Sequence, residues 1–233
     1  MSRPDPVLSV VIPVWNGASY LGAAITSVLE QDAAPDLEII VVDDGSVDGS
    51  AAVAERFGPP VRCLGIPHGG LAETRNAGLQ AAGGEYLLHF DSDDVLPADS
   101  IASRIALFHE RPSTDLVVGQ MVCFVSPELE QQAASRYRVP SQPQRGGLSG
   151  ATLVRTSFAT RVGLFNTTRN HSPDLDWMAR AIEHGPRIEE LPTVVLNRRI
   201  HGKNMSLTQS GFSSDRLAIL RAALERRRMT DDS

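Results

Sequence analysis

The chain has 233 residues, within reach of one α/β domain or of a domain with a C-terminal extension. A hydrophobic content of 42% lets it bury a full core. The net charge of -6 argues against a general nucleic-acid binder, so no nucleic-acid partner is expected. Along the chain, Leu8 to Ile12 is an apolar run interrupted only by Ser9, and it predicts a first strand. Tyr20, Leu21, Ile25, Val28 and Leu29 then follow at helical spacing. Glu38 to Val42 predicts a second strand, and Ser46 or Asp48 can cap a helix that runs to Arg56 and ends at Gly58. Val61 to Ile66 is a third strand, Leu71 to Ala82 a helix stopped by Gly83-Gly84, and Glu85 to Phe90 a fourth strand. A helix from about Ala98 to His109 comes next. These strands are solidly apolar rather than alternating, as in a mostly parallel sheet covered on both faces. The βαβαβ order points to a doubly wound α/β fold.

After about residue 115 the pattern changes. Leu116 to Val125 reads as a strand. Ser126 to Ser149 is polar, with Pro127, Pro140, Pro143, Gly146 and Gly147, and reads as a long mobile loop, a candidate for acceptor contact or a lid. Ala151 to Val154, a helix near Asp174 to His184, and the strand Val194 to Ile200 complete the sheet region. Phe212 to Arg228 predicts a terminal helix with Leu217, Leu220 and Leu224 on one face, and a polar tail follows. Cys63 and Cys123 form no Cys-x-x-Cys pair and read as small core hydrophobes in a reducing compartment. Residues 1–6 begin no signal peptide and the apolar runs are strand-sized, so a cytoplasmic chain without a membrane segment is expected.

In open α/β sheets, ligands bind outside the carboxyl ends of the strands. The first strand ends at Pro13-Val14-Trp15-Asn16, the second at Asp43-Asp44-Gly45-Ser46 and the fourth at Asp91-Ser92-Asp93-Asp94, so three polar or aromatic ends should lie side by side. Trp15 can stack on a flat base or pack into the core. Asp43 or Asp44 can accept a hydrogen bond from a base or a ribose, or cap the following helix. Arg75 can contact a base or a phosphate, or lie on a solvated helix face. Asp91, Asp93 and Asp94 are either a polar turn or a site for a hard cation beside an anionic ligand. Asp91 and Asp93 would point the same way if the strand continued through them.

This combination resembles the family 2 glycosyltransferases, which have the GT-A nucleotide-diphospho-sugar fold. The resemblance rests on Val10-Val11-Ile12-Pro13-Val14-Trp15-Asn16, on Val41-Val42-Asp43-Asp44-Gly45-Ser46 with Asp48, on Ala72-Glu73-Thr74-Arg75-Asn76-Ala77-Gly78-Leu79, and on the Asp-x-Asp element at Asp91 and Asp93. Ser172-Pro173-Asp174-Leu175-Asp176-Trp177 and Arg199-Ile200-His201-Gly202-Lys203-Asn204-Met205-Ser206 match more loosely. It implies one GT-A domain over 1–211, with a nucleotide-sugar half at about 7–97 and an acceptor half at about 98–211. Residues 212–233 then form a C-terminal helix and tail.

The resemblance also implies roles. Pro13, Trp15, Asp44 and Arg75 match positions that hold the base, and Val14, Asn16, Asp43 and Ser92 complete the nucleotide-binding set. Asp91 matches a position near the ribose and the metal, and Asp93 the main protein ligand of Mn2+ or Mg2+. His201 matches a late histidine near the metal and diphosphate, with Asn204 supporting its loop. Asp174 matches the general base of inverting members, with Asp176 as the fallback. Many relatives have Glu-Asp where this chain has Pro173-Asp174. There, Ser172, Pro173 and Asp174 can equally be an N-cap, a first-turn proline and a dipole-favoured acid. The expected reaction is inverting, metal-dependent transfer from a nucleoside-diphosphate sugar, UDP before dTDP or GDP, to a soluble acceptor: a small molecule, a peptide or a glycan precursor. Two alternatives are a sugar nucleotidyltransferase and a non-catalytic nucleotide-sugar-binding module. The first needs a Gly-rich basic loop that Pro13 to Ala18 lacks, and the intact Asp-x-Asp and Asp174 oppose the second.

Overall fold

The computed structural model describes residues 7–31, 36–129, 139–140, 142–147, 149–168, 172–202, 204, 218–219, 221–223 and 225–226. The chain runs β1 (Leu8–Val14), α1 (Ala18–Leu29), β2 (Leu37–Asp43), α2 (Ser50–Glu55), β3 (Val61–Gly65), α3 (Leu71–Ala81), β4 (Tyr86–His89) and α4 (Ser100–Glu110). It continues through β5 (Leu116–Val125), a 3-10 turn (Pro127–Leu129), β6 (Gln144–Arg145), β7 (Thr152–Arg155), α5 (Thr156–Val162), α6 (Pro173–Glu183) and β8 (Ile188–Ile200).

The strands form one sheet in the order β3-β2-β1-β4-β7-β5-β6, with β8 paired to β5. The pairs β1–β2, β1–β4, β2–β3 and β5–β8 are parallel. Among the described strands, β7 against β4 and β5, and the two-residue β6 against β5, are antiparallel. The result is the mostly parallel α/β sheet, helices on both faces, that the apolar strands predicted. Because β7 runs against both β4 and β5, the ends of β4, β5 and β8 all point the same way as those of β1, β2 and β3. Every residue that follows one of these strands therefore reaches a single edge of the molecule.

Two apolar clusters sandwich the sheet. Leu8, Val10, Ile12, Ile39 and Val41 pack with Leu21 and Ile25 of α1 and Ile101 and Phe108 of α4 on one face. Val11, Ile40 and Val42 pack with Leu79 of α3, Phe158 of α5 and Trp177 of α6 on the other. Alternate residues of one strand serve opposite faces, which is why no polar residue interleaves them. Ser9, the one interruption in β1, is fully buried; its hydroxyl donates to Glu38 at 2.7 Å and accepts from the Gly84 N–H at 2.8 Å. Helix α3 lies tight against β1: a Cβ on Gly78 would fall 2.1 Å from Val11 Cγ1.

Several expectations are corrected. Gly49, not Ser46 or Asp48, occupies the N-cap of α2, while Asp48 accepts the Ser50 N–H at 3.0 Å. Strand β4 stops at His89, so Asp91 and Asp93 lie on a turn rather than on a continued strand. Helix α5 and strand β6 had no counterpart in the sequence reading, and β8 starts at Ile188 rather than Val194. Cys63 and Cys123 are half-buried rather than in the core. Within the expected 126–149 loop, residues 130–138, 141 and 148 lie outside the described residues. So does most of the expected terminal helix, Leu217, Leu220 and Leu224 included; 218–219, 221–223 and 225–226 are helical, Ile219 is buried and Arg226 pairs with Glu183 at 2.8 Å. Among the described residues, no helix is long and apolar enough to cross a membrane.

Candidate active site at the carboxyl ends of the strands

Pro13 and Val14 finish β1 inside the core, and the chain then turns Trp15 outward, 58% exposed. The turn is stitched to the β2 end. The Asn16 N–H donates to Ser46 Oγ at 2.9 Å, and Asn16 Oδ1 accepts the Val47 N–H at 2.9 Å. Asp43 and Asp44 are both buried but divide their work. Asp43 accepts the Ser46 N–H at 3.0 Å. Asp44 accepts the Gly69 and Gly70 N–H groups at 2.7 and 3.0 Å, fixing the entry to α3. The His68 imidazole also reaches Asp44, with Nδ1 2.9 Å from Oδ2, and stacks on Trp15 with ring centroids 4.7 Å apart.

Arg75, one turn into α3, is fully buried rather than solvated. Its guanidinium donates to Asp91 Oδ1 at 3.1 Å and forms an ion pair with Asp174. Burial pushes the Arg75 guanidinium down from its ordinary value, and Asp91 opposes that shift. Burial, followed by the Arg75 charge, holds the neighbouring His89 imidazole well below its usual range. Among the described residues, Arg75 Nε and Nη1, Asp174 Oδ1 and His89 Nδ1 make no hydrogen bond.

The Asp91-Ser92-Asp93-Asp94 turn gathers its carboxylates although the strand has ended. Ligand oxygens of Asp91, Asp93 and Asp94 lie within 4.8 Å of one another. Ser149, placed just before β7 by the antiparallel register, donates to Asp91 at 2.6 Å. His201 Nε2 and Asn204 Nδ2, which follow β8, reach Asp93 Oδ2 at 2.8 and 3.1 Å. Asp94 turns inward and accepts the Arg199 N–H at 2.8 Å. Burial, then the charges of Asp91 and Asp93, pushes Asp94 well above the usual carboxylate range. Three carboxylates with this much crowded negative charge fit a hard divalent cation. Ser92 sits beside Gly17, where an added Cβ would be 3.2 Å from the serine hydroxyl.

Helix α6 starts as the Ser172-Pro173 pattern predicts, with Ser172 at the N-cap and Asp174 and Asp176 in the first turn. The two acids point to different places. Asp174 faces Arg75 and stays about one-third exposed (33%). Asp176 is buried against Arg180 at 3.1 Å, and Arg180 itself donates to the Val162 and Leu164 carbonyls.

The structure also recruits residues that the sequence reading passed over. His68 follows β3, whose end lies on the same edge, and the strand-end rule would have found it. Ser149 carries no local signal, and Arg199 was given no role although it opens the loosely matching stretch that ends at Ser206. Arg199 donates to the Asp93 carbonyl at 2.8 Å and lies over the ring of Tyr20, whose hydroxyl bonds Glu128.

The profile of the Glycosyl transferase family 2 matches residues 9–170, the larger part of the chain. The chain belongs to glycosyl transferase family 2. This family 2 chain is 28% identical over 235 residues to the hyaluronan synthase of Pasteurella multocida, covering 97% of this chain but 24% of that protein. It is also 28% identical over 184 residues to an uncharacterized glycosyltransferase of Rickettsia typhi, covering 74% of this chain and 57% of the relative. The chain thus spans about a quarter of the first relative and little more than half of the second. Among solved structures, S. aureus TarS in complex with UDP superposes with a TM-score of 0.73 at 20% identity, covering 93% of this chain and 64% of that one. The mannosyltransferase PcManGT from Pyrobaculum calidifontis, solved with GDP-Man and Mn2+, gives 0.63 at 22% identity, covering 86% and 59%. The fold is that of these GT-A neighbours.

Proposed function

We propose that the chain is an inverting, metal-dependent glycosyltransferase that moves a sugar from a nucleoside-diphosphate donor to an acceptor hydroxyl. The observation that carries this reading is Arg75, which joins Asp91 of the acidic turn to Asp174 of α6. Through it, the residues suited to a leaving diphosphate and the residue suited to accept a proton become parts of one site. Trp15, Asn16, Asp43, Asp44, Asp91 and Ser92 line the nucleotide side, with Pro13 and Val14 buried behind them. Trp15 offers the base its ring face and Asp44 accepts a base N–H. Arg75 anchors that side from within. Asp93 would be the main ligand of the metal, Asp91 would contact both the ribose and the metal, and His201 would belong to the same set.

A bound divalent cation would supply neutralising charge to the departing diphosphate. Asp174 takes the proton of the acceptor hydroxyl. The acceptor oxygen forms its bond to the anomeric carbon from the face opposite the diphosphate, and the carbon–oxygen bond to the diphosphate breaks with its electron pair leaving on that oxygen. One displacement inverts the anomeric centre and needs no sugar–enzyme bond. Asp176 is the second choice as base, because its side chain is buried while that of Asp174 stays open to an acceptor. UDP is the first choice of donor nucleotide, with dTDP or GDP as alternatives; solved neighbours hold UDP, UDP-GlcNAc, and GDP-Man with Mn2+. The acceptor is a soluble small molecule, peptide or glycan precursor, and the chain works in the cytoplasm.

The test measures UDP release from UDP-sugars, with water or added glycans as acceptors, alongside UDP and Mn2+ binding. Asp174→Asn should lower turnover by roughly 100-fold or more and leave UDP binding intact. Asp93→Asn should lose Mn2+ binding as well as turnover. Near-normal turnover by Asp174→Asn would remove it as the base.

A further inference from the structure

We propose that His68 is a resident plug of the nucleotide subsite, a side chain that occupies the base's place when no donor is bound. The inference rests on the base subsite proposed above at Trp15 and Asp44. A base held there needs two things: a flat ring on the Trp15 face, and a ring N–H aimed at the Asp44 carboxylate. The His68 imidazole supplies both. Its ring lies 4.7 Å from the Trp15 ring, tilted by only 23°. Its Nδ1 stands 2.9 Å from Asp44 Oδ2 and 3.1 Å from the Asp44 carbonyl oxygen. One indole face and one carboxylate edge cannot serve an imidazole and a nucleobase together.

The surroundings allow the ring to leave without unfolding the loop. The backbone is pinned on both sides of His68. The Gly69 and Gly70 N–H groups are held by Asp44, and the Ile66 N–H donates to the Asp43 carbonyl at 2.9 Å. Gly45 supports the loop from below: its own Cβ, if present, would lie 3.3 Å from the His68 nitrogen. Gly70 has φ +89°, a conformation open to glycine, and it turns the chain from the pinned loop into α3. The His68 side chain itself is 54% exposed, against 4% for Asp44. Rotation about its own torsions carries the ring into solvent while Asp44 keeps its two backbone donors and its place.

A site that is open only part of the time binds its ligand more weakly by the open fraction. Removing the plug should therefore strengthen donor binding, which is the opposite of what removing a ligand-contacting residue does. The experiment titrates UDP with saturating Mn2+ into the full chain and its His68→Ala variant, by calorimetry and by tryptophan emission, with melting temperatures measured on both. His68→Ala should bind UDP about three- to tenfold more tightly. Without ligand its tryptophan emission should differ from wild type, because the exposed Trp15 loses its stacked partner while Trp177 stays buried on the Gly163 carbonyl. Equal or weaker UDP binding by a variant that melts like wild type overturns the plug and leaves the base subsite standing. Emission identical to wild type shows that the ring does not rest on Trp15, and likewise overturns it. Absence of UDP binding in both proteins overturns the base subsite, and the role of His68 with it.

Discussion

Arg75 shows how one side chain can organise a site from inside. A fully buried guanidinium is costly unless its charge is answered, and here Asp91 and Asp174 answer it from opposite sides. Asp91 and Asp174 keep 41% and 33% of their side chains in solvent, so Arg75→Met leaves no fully buried charge behind and should cost about 1–3 kcal/mol in a urea titration. A loss under about 1 kcal/mol would mean that the ion pairs carry little of the structure. The sequence was enough to bring Trp15, Asp44, Asp91 and Asp93 to one edge, because each follows a strand end, a position fixed by local pattern. It did not show where Arg75 points. A helix-borne arginine has the same local signature whether it meets solvent or two acids, and its second partner lies about a hundred residues further along. Asp174 and Asp176 show the same limit: two acids one residue apart on one helix turn face Arg75 and Arg180 respectively.

At the scale of elements, the packing of α3 against β1 sets where Arg75 and the Asp44-bound loop stand. Gly78 permits that approach. Gly78→Ala would place a methyl 2.1 Å from Val11 Cγ1, so the helix must move off the sheet. Overpacking of this kind should cost about 1–3 kcal/mol in chemical denaturation and weaken UDP binding as well. Unchanged binding in a destabilised Gly78→Ala protein would show that α3 can shift without disturbing the site. The elements from β1 to α4 were legible to within a few residues because apolar runs, helical spacing and glycine stops agree there. The misses have physical causes. Helix α5 is short and holds Thr156, Thr160 and Val162, residues that favour strands. The first half of β8 carries Glu189, Glu190 and Pro192, which read as loop. Proline fits there because the ladder with β5 is irregular at that point, passing from the Val118–Glu190 pair to Gln120–Val194, so Pro192 falls where no ladder pair is made.

At the scale of the molecule, the direction of the strands explains why residues from 15 to 204 meet. Six strands point their carboxyl ends to one edge, and β7, running the other way, returns Ser149 to that edge from the opposite side. The parallel half of this plan was readable from the βαβαβ order. The insertion of β7 between β4 and β5 was not, because antiparallel pairing at that position depends on long-range register rather than on local pattern. It is this insertion that completes the acidic turn with Ser149, while β8 delivers His201 and Asn204. Under the proposed function, this edge binds a nucleoside diphosphate together with a divalent cation. The direct measurement is the melting temperature of the full chain with UDP, dTDP, GDP and CDP, each with and without Mn2+. At a hundredfold excess over its dissociation constant, a ligand of the folded state adds about 2.7 kcal/mol, or about 5 °C or more for a domain of this size. A rise of that order with UDP or dTDP, and only when Mn2+ is present, is the predicted result; no shift with any of the four nucleotides, with or without the metal, would contradict it.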